Sequence, residues 1–275
     1  MRKIALTLIV STLFVSSNAW AQAAAKETPR QAPRRMHTAV NPQQAIEEHQ
    51  AWLRANAPKL IQDWAQLGRY RAANEAVAAP LKGEQRVVFY GDSITDGWKL
   101  ETYFPGKPYV NRGISGQTTP QMLVRFRPDV VNLKPKAVVI LAGTNDIAGN
   151  TGPMSIADIK ANFEAMADIA QANGIRPVLC SVLPVHDYNE RAARFAATRS
   201  MEQIKEINAF LREMAQRRGL VYVDYYSAML DDKGLLRDDL ANDGLHPNDA
   251  GYRVMVPLVE QGIAKALKPA PSRKR

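Results

Sequence analysis

From about residue 86 onward the chain falls into short runs that are apolar at nearly every position, separated by stretches in which apolar residues recur every three or four places. The runs are 86–90, 109–111, 137–142, 177–182 and 220–223. A strand that is apolar on both of its alternating faces is buried on both sides, the pattern of a parallel sheet covered by helices. Helical periods occupy 117–132, 155–173, 201–218 and 248–265. Strands alternating with helices through right-handed crossovers predict an α/β fold, a three-layer α/β/α sandwich around a five-stranded parallel sheet. In such sheets the ligand site forms beyond the carboxyl ends of the strands, so the residues just after each run carry the most information. No internal repeat is found.

Upstream of this pattern lie three other segments. Residues 1–21 join Arg2-Lys3 to an apolar run from Ile4 to Val15 and a small-x-small site, Ala19-Trp20-Ala21. This predicts a signal peptide cleaved near Ala21 and a protein that is periplasmic or extracellular. The run is too short to span a bilayer, so stable membrane insertion is not expected. Residues 22–40 are rich in Ala, Pro and Arg and read as a disordered linker. Residues 41–83 read as a helical N-terminal extension, with Asn41 as N-cap, Pro42 at the first helical position and Gln44 closing a capping box. Pro58 is expected to separate a helix carrying Trp52 and Leu53 from one carrying Leu60, Ile61, Trp64, Leu67 and Arg71. The extension is expected to pack on a flank of the main domain, residues 84–267. The alternative is a lid over the site using Trp64 or Tyr70.

Composition changes the picture mainly by exclusion. The net charge of +9 suggests nucleic acid until it is located. Residues 1–21 carry +2, residues 22–35 carry +3 and the basic tail 268–275 carries +4, which leaves residues 36–267 neutral. No basic, aromatic-interleaved surface remains, so no nucleic-acid partner is implied. The single cysteine, Cys180, lies inside an apolar run and reads as a buried hydrophobe. It has no disulfide partner, and no cysteine near the cleavage site could carry a lipid anchor.

Four short blocks follow the strands. Gly91-Asp92-Ser93-Ile94-Thr95-Asp96-Gly97 places a serine where a buried strand stops and a helix begins, with its own N–H at a helix N-terminus. Asn111-Arg112-Gly113-Ile114-Ser115-Gly116 follows the second strand, and Gly143-Thr144-Asn145-Asp146 the third. Far downstream, Asp243-Gly244-Leu245-His246-Pro247 puts a carboxylate and an imidazole three residues apart, close enough to touch. Singly, each block has a plainer reading: a helix cap, a left-handed turn, a turn after a strand, an Asp-Gly turn. Jointly, four unrelated turns would not be expected to converge on one sheet edge.

In order and content the blocks resemble those of the SGNH (GDSL-type) hydrolases over roughly Val87 to Leu267. The resemblance implies a flavodoxin-like sheet and an exported serine ester hydrolase. In that reading Ser93 is the nucleophile, His246 the base and Asp243 its orienting partner. The oxyanion donors it implies are the backbone N–H groups of Ser93 and Gly113 and the side-chain amide of Asn145. Ser115 lacks the second glycine of a Gly-x-Ser-x-Gly elbow, because Gln117 stands there. Asp92 and Asp96 could suggest a glycosidase carboxylate pair, but such an enzyme would not need His246. No His/Cys cluster or phosphate-binding glycine loop is present, so neither a metal nor another cofactor is implied. Substrate contacts are expected from Thr118, Ile147, His186 and Tyr188, which follow strands at the same edge. The expected partner is a small-molecule, glycan or lipid acyl ester, with a short acyl group such as acetyl. The alternatives are a lysophospholipase- or thioesterase-like acylhydrolase and a non-catalytic glycan- or lipid-binding protein.

Overall fold

The computed structural model describes residues 42–268. The expected signal peptide, the linker, the Asn41 cap and all but the first residue of the basic tail therefore lie outside the described residues. The chain begins with α1 (Pro42–Gln62) and α2 (Arg71–Ala76), then β1 (Val87–Gly91), α3 (Ser93–Asp96), α4 (Leu100–Tyr103) and β2 (Tyr109–Gly113). Next come α5 (Thr119–Asp129), β3 (Ala137–Leu141), α6 (Thr144–Ile147), α7 (Ile156–Ala172) and β4 (Arg176–Cys180). The remainder is α8 (Glu190–Ala196), α9 (Met201–Arg218), β5 (Val221–Val223), α10 (Tyr225–Ala228) and α11 (Asp249–Leu267). The five strands form one parallel sheet in the order β2-β1-β3-β4-β5. This is the doubly wound, flavodoxin-like order predicted above.

Alternation along the strands divides the core into two layers. Val88 and Tyr90 of β1 and Val138 and Ile140 of β3 pack with Phe126 of α5 and Phe163 of α7. Val87 and Phe89, with Val139 and Leu141, face the other way onto Trp98, Met255 and Val259. Every residue of β1 and β3 is buried, which explains why these runs carry no polar alternation. Capping residues set the helix starts: Ser155 and Asp158 form a capping box on α7, and Asn248 caps α11.

The N-terminal extension departs from its expected form. Pro58 does not separate two helices; α1 runs unbroken from Pro42 to Gln62 with Pro58 inside it. The missing N–H falls in the exposed last turn, where one lost helical bond is tolerated. Trp64 and Leu67 lie in the turns before α2, not on a helix. Those turns are pinned to the main domain through backbone carbonyls, with Gln121 Nε2 donating to Trp64 O at 2.6 Å and Gln117 Nε2 to Ala65 O at 2.9 Å.

One buried side chain ties the carboxyl ends of the first two strands together. Arg125 on α5 is fully buried and donates to Gly91 O at 2.9 Å and to Arg112 O at 2.8 Å. It also donates to the side chain of Gln117, pairs with Asp129 at 3.0 Å and stacks its guanidinium 4.2 Å from the centre of the Tyr90 ring. Removing one partner of a buried ion pair typically costs about 3–5 kcal/mol. Arg125→Met should therefore lower the unfolding free energy by about that amount in urea titrations; a loss under about 1 kcal/mol would mean the strand ends hold without it.

Candidate active site

β1 stops at Gly91, and α3 starts two residues later. Asp92 caps that helix, its Oδ1 accepting from Ile94 N at 3.0 Å. Ser93 is thus the first helical residue, and its own N–H belongs to the group that a helix leaves without an internal acceptor. Its hydroxyl lies 2.9 Å from His246 Nε2, and His246 Nδ1 lies 2.8 Å from Asp243 Oδ2. An ionised carboxylate accepts only, so Nδ1 carries the ring proton and Nε2 is left as an acceptor facing the serine hydroxyl.

The Asp243 turn is built to hold this relation. Burial opposes ionisation of Asp243, but the hydrogen bonds from the His246 ring and from the N–H groups of His246 and Leu245 outweigh it. Together they hold the carboxyl well below the usual carboxylate range. Gly244 between them has φ +77°, and a Cβ there would stand 2.5 Å from both Ala192 Cβ and His186 O. Only glycine fits that backbone at that distance. Phe195 packs edge-on against the His246 ring, with centroids 5.5 Å apart.

Asn145 stands at the start of α6, beyond β3. Arg199 Nη2 donates to its Oδ1 at 3.1 Å, and its Nδ2 donates to Gln117 O at 3.1 Å. Arginine has no acceptor, so it fixes which end of the amide is Oδ1 and leaves the NH₂ on the side of Gln117 O, with one N–H beyond that bond. Arg199 is itself buried and also donates to Thr144 Oγ1 at 3.0 Å. Burial brings its guanidinium down to about 10, still protonated at neutral pH.

Gly113 is not where the oxyanion reading needs it. β2 runs two residues further than its apolar pattern, so Gly113 lies inside the strand, paired with Gly91. Its N–H is donated to Asn111 Oδ1 at 2.8 Å, and its carbonyl accepts the Tyr70 hydroxyl. A Cβ on it would stand 2.1 Å from Asp96 N, so its role is to let the nucleophile turn sit directly on the strand. The second glycine of the same block, Gly116, lines the cavity with Ser93 and Asn145, and at φ +81° its N–H has no acceptor among the described residues. The signal that separates the two was present in Asn111, whose side chain can bond the N–H two residues ahead and so claims Gly113.

A cavity of about 530 Å³ opens over Ser93, Asn145 and His246. α8 and the residues after it supply Arg191, Arg194, Phe195 and Arg199, in the stretch expected to wall it. The opposite wall is α1, through Glu48, His49 and Trp52. The extension therefore stands at the site and not on a distant flank, and it does so through residues other than Trp64 and Tyr70. The four expected substrate contacts lie elsewhere. Thr118 is buried at the start of α5, bonded to Thr151, and Ile147 packs into the core. His186 is buried, its Nε2 against Ala241 O at 3.0 Å and its Nδ1 accepting from Tyr188 N at 3.2 Å. Tyr188 stacks on that ring and donates its hydroxyl to Asp231. His186 thus braces the segment that leads to Asp243, and Tyr188 the turn at Asp231. Ser115 Oγ donates to Asp96 at 2.7 Å.

Parallel α/β domains that bring a serine, a carboxylate-backed imidazole and N–H donors together at the carboxyl edge of the sheet include hydrolases that pass an acyl group through the serine. This chain belongs to the GDSL-like lipase/acylhydrolase family, whose model matches residues 89–254, and it is a carboxylic ester hydrolase. It is 41% identical to a GDSL-like lipase from Bacteroides thetaiotaomicron, a structure it matches over 74% of this chain and all of that one with a TM-score of 0.69. It is 26% identical to the uncharacterized lipoprotein YqeF of Bacillus subtilis, over 66% of this chain and 90% of that protein. It is also 26% identical to an acetylxylan esterase of Xylanibacter ruminicola, over 69% of this chain but only 45% of the esterase. Among the described residues no helix is long and apolar enough to cross a membrane.

Burial pushes the Asp92 carboxyl from 3.8 up to about 6. The folded state therefore holds a proton there that the unfolded chain releases between pH 4 and 6, so this group's contribution to stability declines as pH rises through that window. The displacement corresponds to roughly 3 kcal/mol by pH 7. Unfolding free energies of Asp92→Asn and the parent chain, measured from pH 4 to pH 7, should shift toward the variant by a few kcal/mol. Parallel profiles would show that Asp92 ionises in the fold without penalty.

Proposed function

We propose that this chain is an exported esterase that removes short acyl groups, acetyl in particular, from carbohydrate, with Ser93, His246 and Asp243 as its catalytic residues. The observation that carries this reading is the continuous line of contacts from Ser93 Oγ to His246 to Asp243, 2.9 and 2.8 Å long. His246 Nε2 takes the Ser93 proton as Oγ bonds to the ester carbonyl carbon, and the carbonyl oxygen becomes an oxyanion. The N–H groups of Ser93 and Gly116 and Asn145 Nδ2 receive that charge. Collapse breaks the bond to the alkoxy oxygen, which leaves with the proton from His246. Water, deprotonated by the same imidazole, then releases the acid and restores the serine.

Two things favour acetyl on a sugar. The cavity mouth carries Arg191, Arg194 and Glu48 instead of a continuous apolar channel, which suits a short acyl chain and a polar alcohol. The relatives with a named substrate are acetylxylan esterases. Export rests on the signal reading of residues 1–21 and on the relative named a lipoprotein. The only cysteine of this chain, Cys180, is buried in β4, so an exported form has no thiol there for a lipid.

The test is a series of p-nitrophenyl esters from acetate to octanoate with the purified chain. Activity should be highest on acetate and fall with chain length; a maximum at octanoate would place the enzyme among long-chain acylhydrolases. Ser93→Ala should abolish turnover with thermal stability nearly unchanged, and a phosphonate label should fall on Ser93. Asp243→Asn should lower kcat by about 10³–10⁴ with KM little altered. Labelling at Ser115, or a silent Asp243→Asn, would overturn the residue assignment. Mass spectrometry of protein from the extracytoplasmic fraction should find a chain beginning near Gln22.

A further inference from the structure

Behind the catalytic cavity lies a second one, of about 420 Å³, and Trp52 forms part of both. Ser115, Gly116 and Asn150 are also shared, so the two spaces meet at the loop that carries the free Gly116 N–H. Trp52 leaves 45% of its surface exposed, and its indole lies 3.4 Å from the position a Cβ on Gly116 would take. A large aromatic face thus stands open beside the reacting centre without being needed by the core. An acetyl group occupies a small part of the first cavity, so most of this space belongs to the alcohol side of the ester.

The chemistry of the second cavity identifies what it fits. Its far wall is made of carboxamides, from Asn56, Gln62, Gln66 and Gln121. Gln121 is committed to Trp64 O and to Thr118, and Asn56 Nδ2 to Trp52 O. Among the described residues the side-chain amides of Gln62 and Gln66 make no hydrogen bond, and Asn56 retains its Oδ1 as an acceptor. Gln66 is held at φ +54°, an unusual backbone for a residue with a side chain, in the turn that Asp63 caps by accepting from Leu67 N and Gly68 N at 2.8 Å. Asp63 is occupied in that cap, and the guanidinium of Arg69 is half exposed and turned to within 3.8 Å of Asp96. What remains is a set of neutral donors and acceptors facing an aromatic platform. An acyl chain laid there would cover amides without bonding them, at the cost of their hydration. An uncharged polyhydroxylated chain would both stack on the indole and satisfy the amides.

We propose that the second cavity is a subsite for the sugars adjoining the acylated one, so that the substrate is an uncharged oligosaccharide and α1, through Trp52, selects its length. This rests on the esterase reading above. The experiment has two independent arms. In the first, binding of unacetylated xylotriose to Ser93→Ala is measured calorimetrically, alone and combined with Trp52→Ala, Trp52→Phe or Gln66→Leu. Xylotriose should bind, about tenfold more weakly with Trp52→Ala or Gln66→Leu, and nearly as well with Trp52→Phe, which keeps an aromatic face. In the second, kcat/KM is measured on acetylated xylo-oligosaccharides of one and three sugars. Their ratio within each protein cancels any loss of folded enzyme. It should exceed about ten in the parent chain and approach one in Trp52→Ala. Absent xylotriose binding, a flat length ratio, or a ratio indifferent to Trp52 and Gln66 overturns the subsite, even if p-nitrophenyl acetate is hydrolysed. Xylotriose binding without hydrolysis of any ester supports the subsite and overturns the esterase reading instead.

Discussion

A parallel sheet ends at its carboxyl edge in backbone groups that no neighbouring strand completes, and here the guanidinium of Arg125 takes up much of that demand. It reaches the carbonyls closing β1 and β2 and the side chain of Gln117, one residue past Gly116. The nucleophile turn, the strand beneath it and the Gly116 loop are thereby referred to one rigid, fully buried group. A planar fork with five donors can do this where lysine, with one ammonium, could not. The distances between Ser93, Gly116 and Asn145 depend on this group being in place.

Around that frame the fold accepts buried charge. Asp92 and Asp146 are both buried, and burial raises both carboxyls to about 6; Arg199 is buried beside them and is lowered to about 10. Asp92 and Asp243 in turn support the charge on Arg199. Such groups would be poor choices for stability alone. Each orients something at the edge: Asp92 the start of α3, Asp146 the N–H and hydroxyl of Thr119, Arg199 the amide of Asn145. Fixed dipoles in a half-closed cavity need no rearrangement when charge develops, which is the physical basis for concentrating them here.

In the proposed reading, the chemistry and the selection of substrate occupy different parts of the molecule. Serine, histidine and aspartate sit on turns braced by the sheet, whereas the walls come from α8 and from α1, outside the alternating β/α pattern. Scaffold positions hold reacting atoms to tenths of an ångström, while peripheral elements can change without disturbing them.

The sheet was legible because its evidence is local: five largely apolar runs of near-strand length, interleaved with four helical periods, allow few other arrangements. The contact of Ser93, His246 and Asp243 was legible for a related reason, since each lies in a short turn whose position at the edge follows from the strand before it or the helix after it. The choice between Gly113 and Gly116 was legible only in part: Asn111 pointed to it, but β2 continues past its apolar run through pairing with β1, a contact between distant segments. His186 was misplaced likewise. It follows β4 at the correct edge, but its ring turns inward to Ala241, 55 residues away. The unbroken α1 and the use of Trp52 at the site depend on packing against α8 and the Gly116 loop. Periodicity records which face of an element is buried; it holds no record of which distant element covers that face, and here that covering decided where the cavity walls stand.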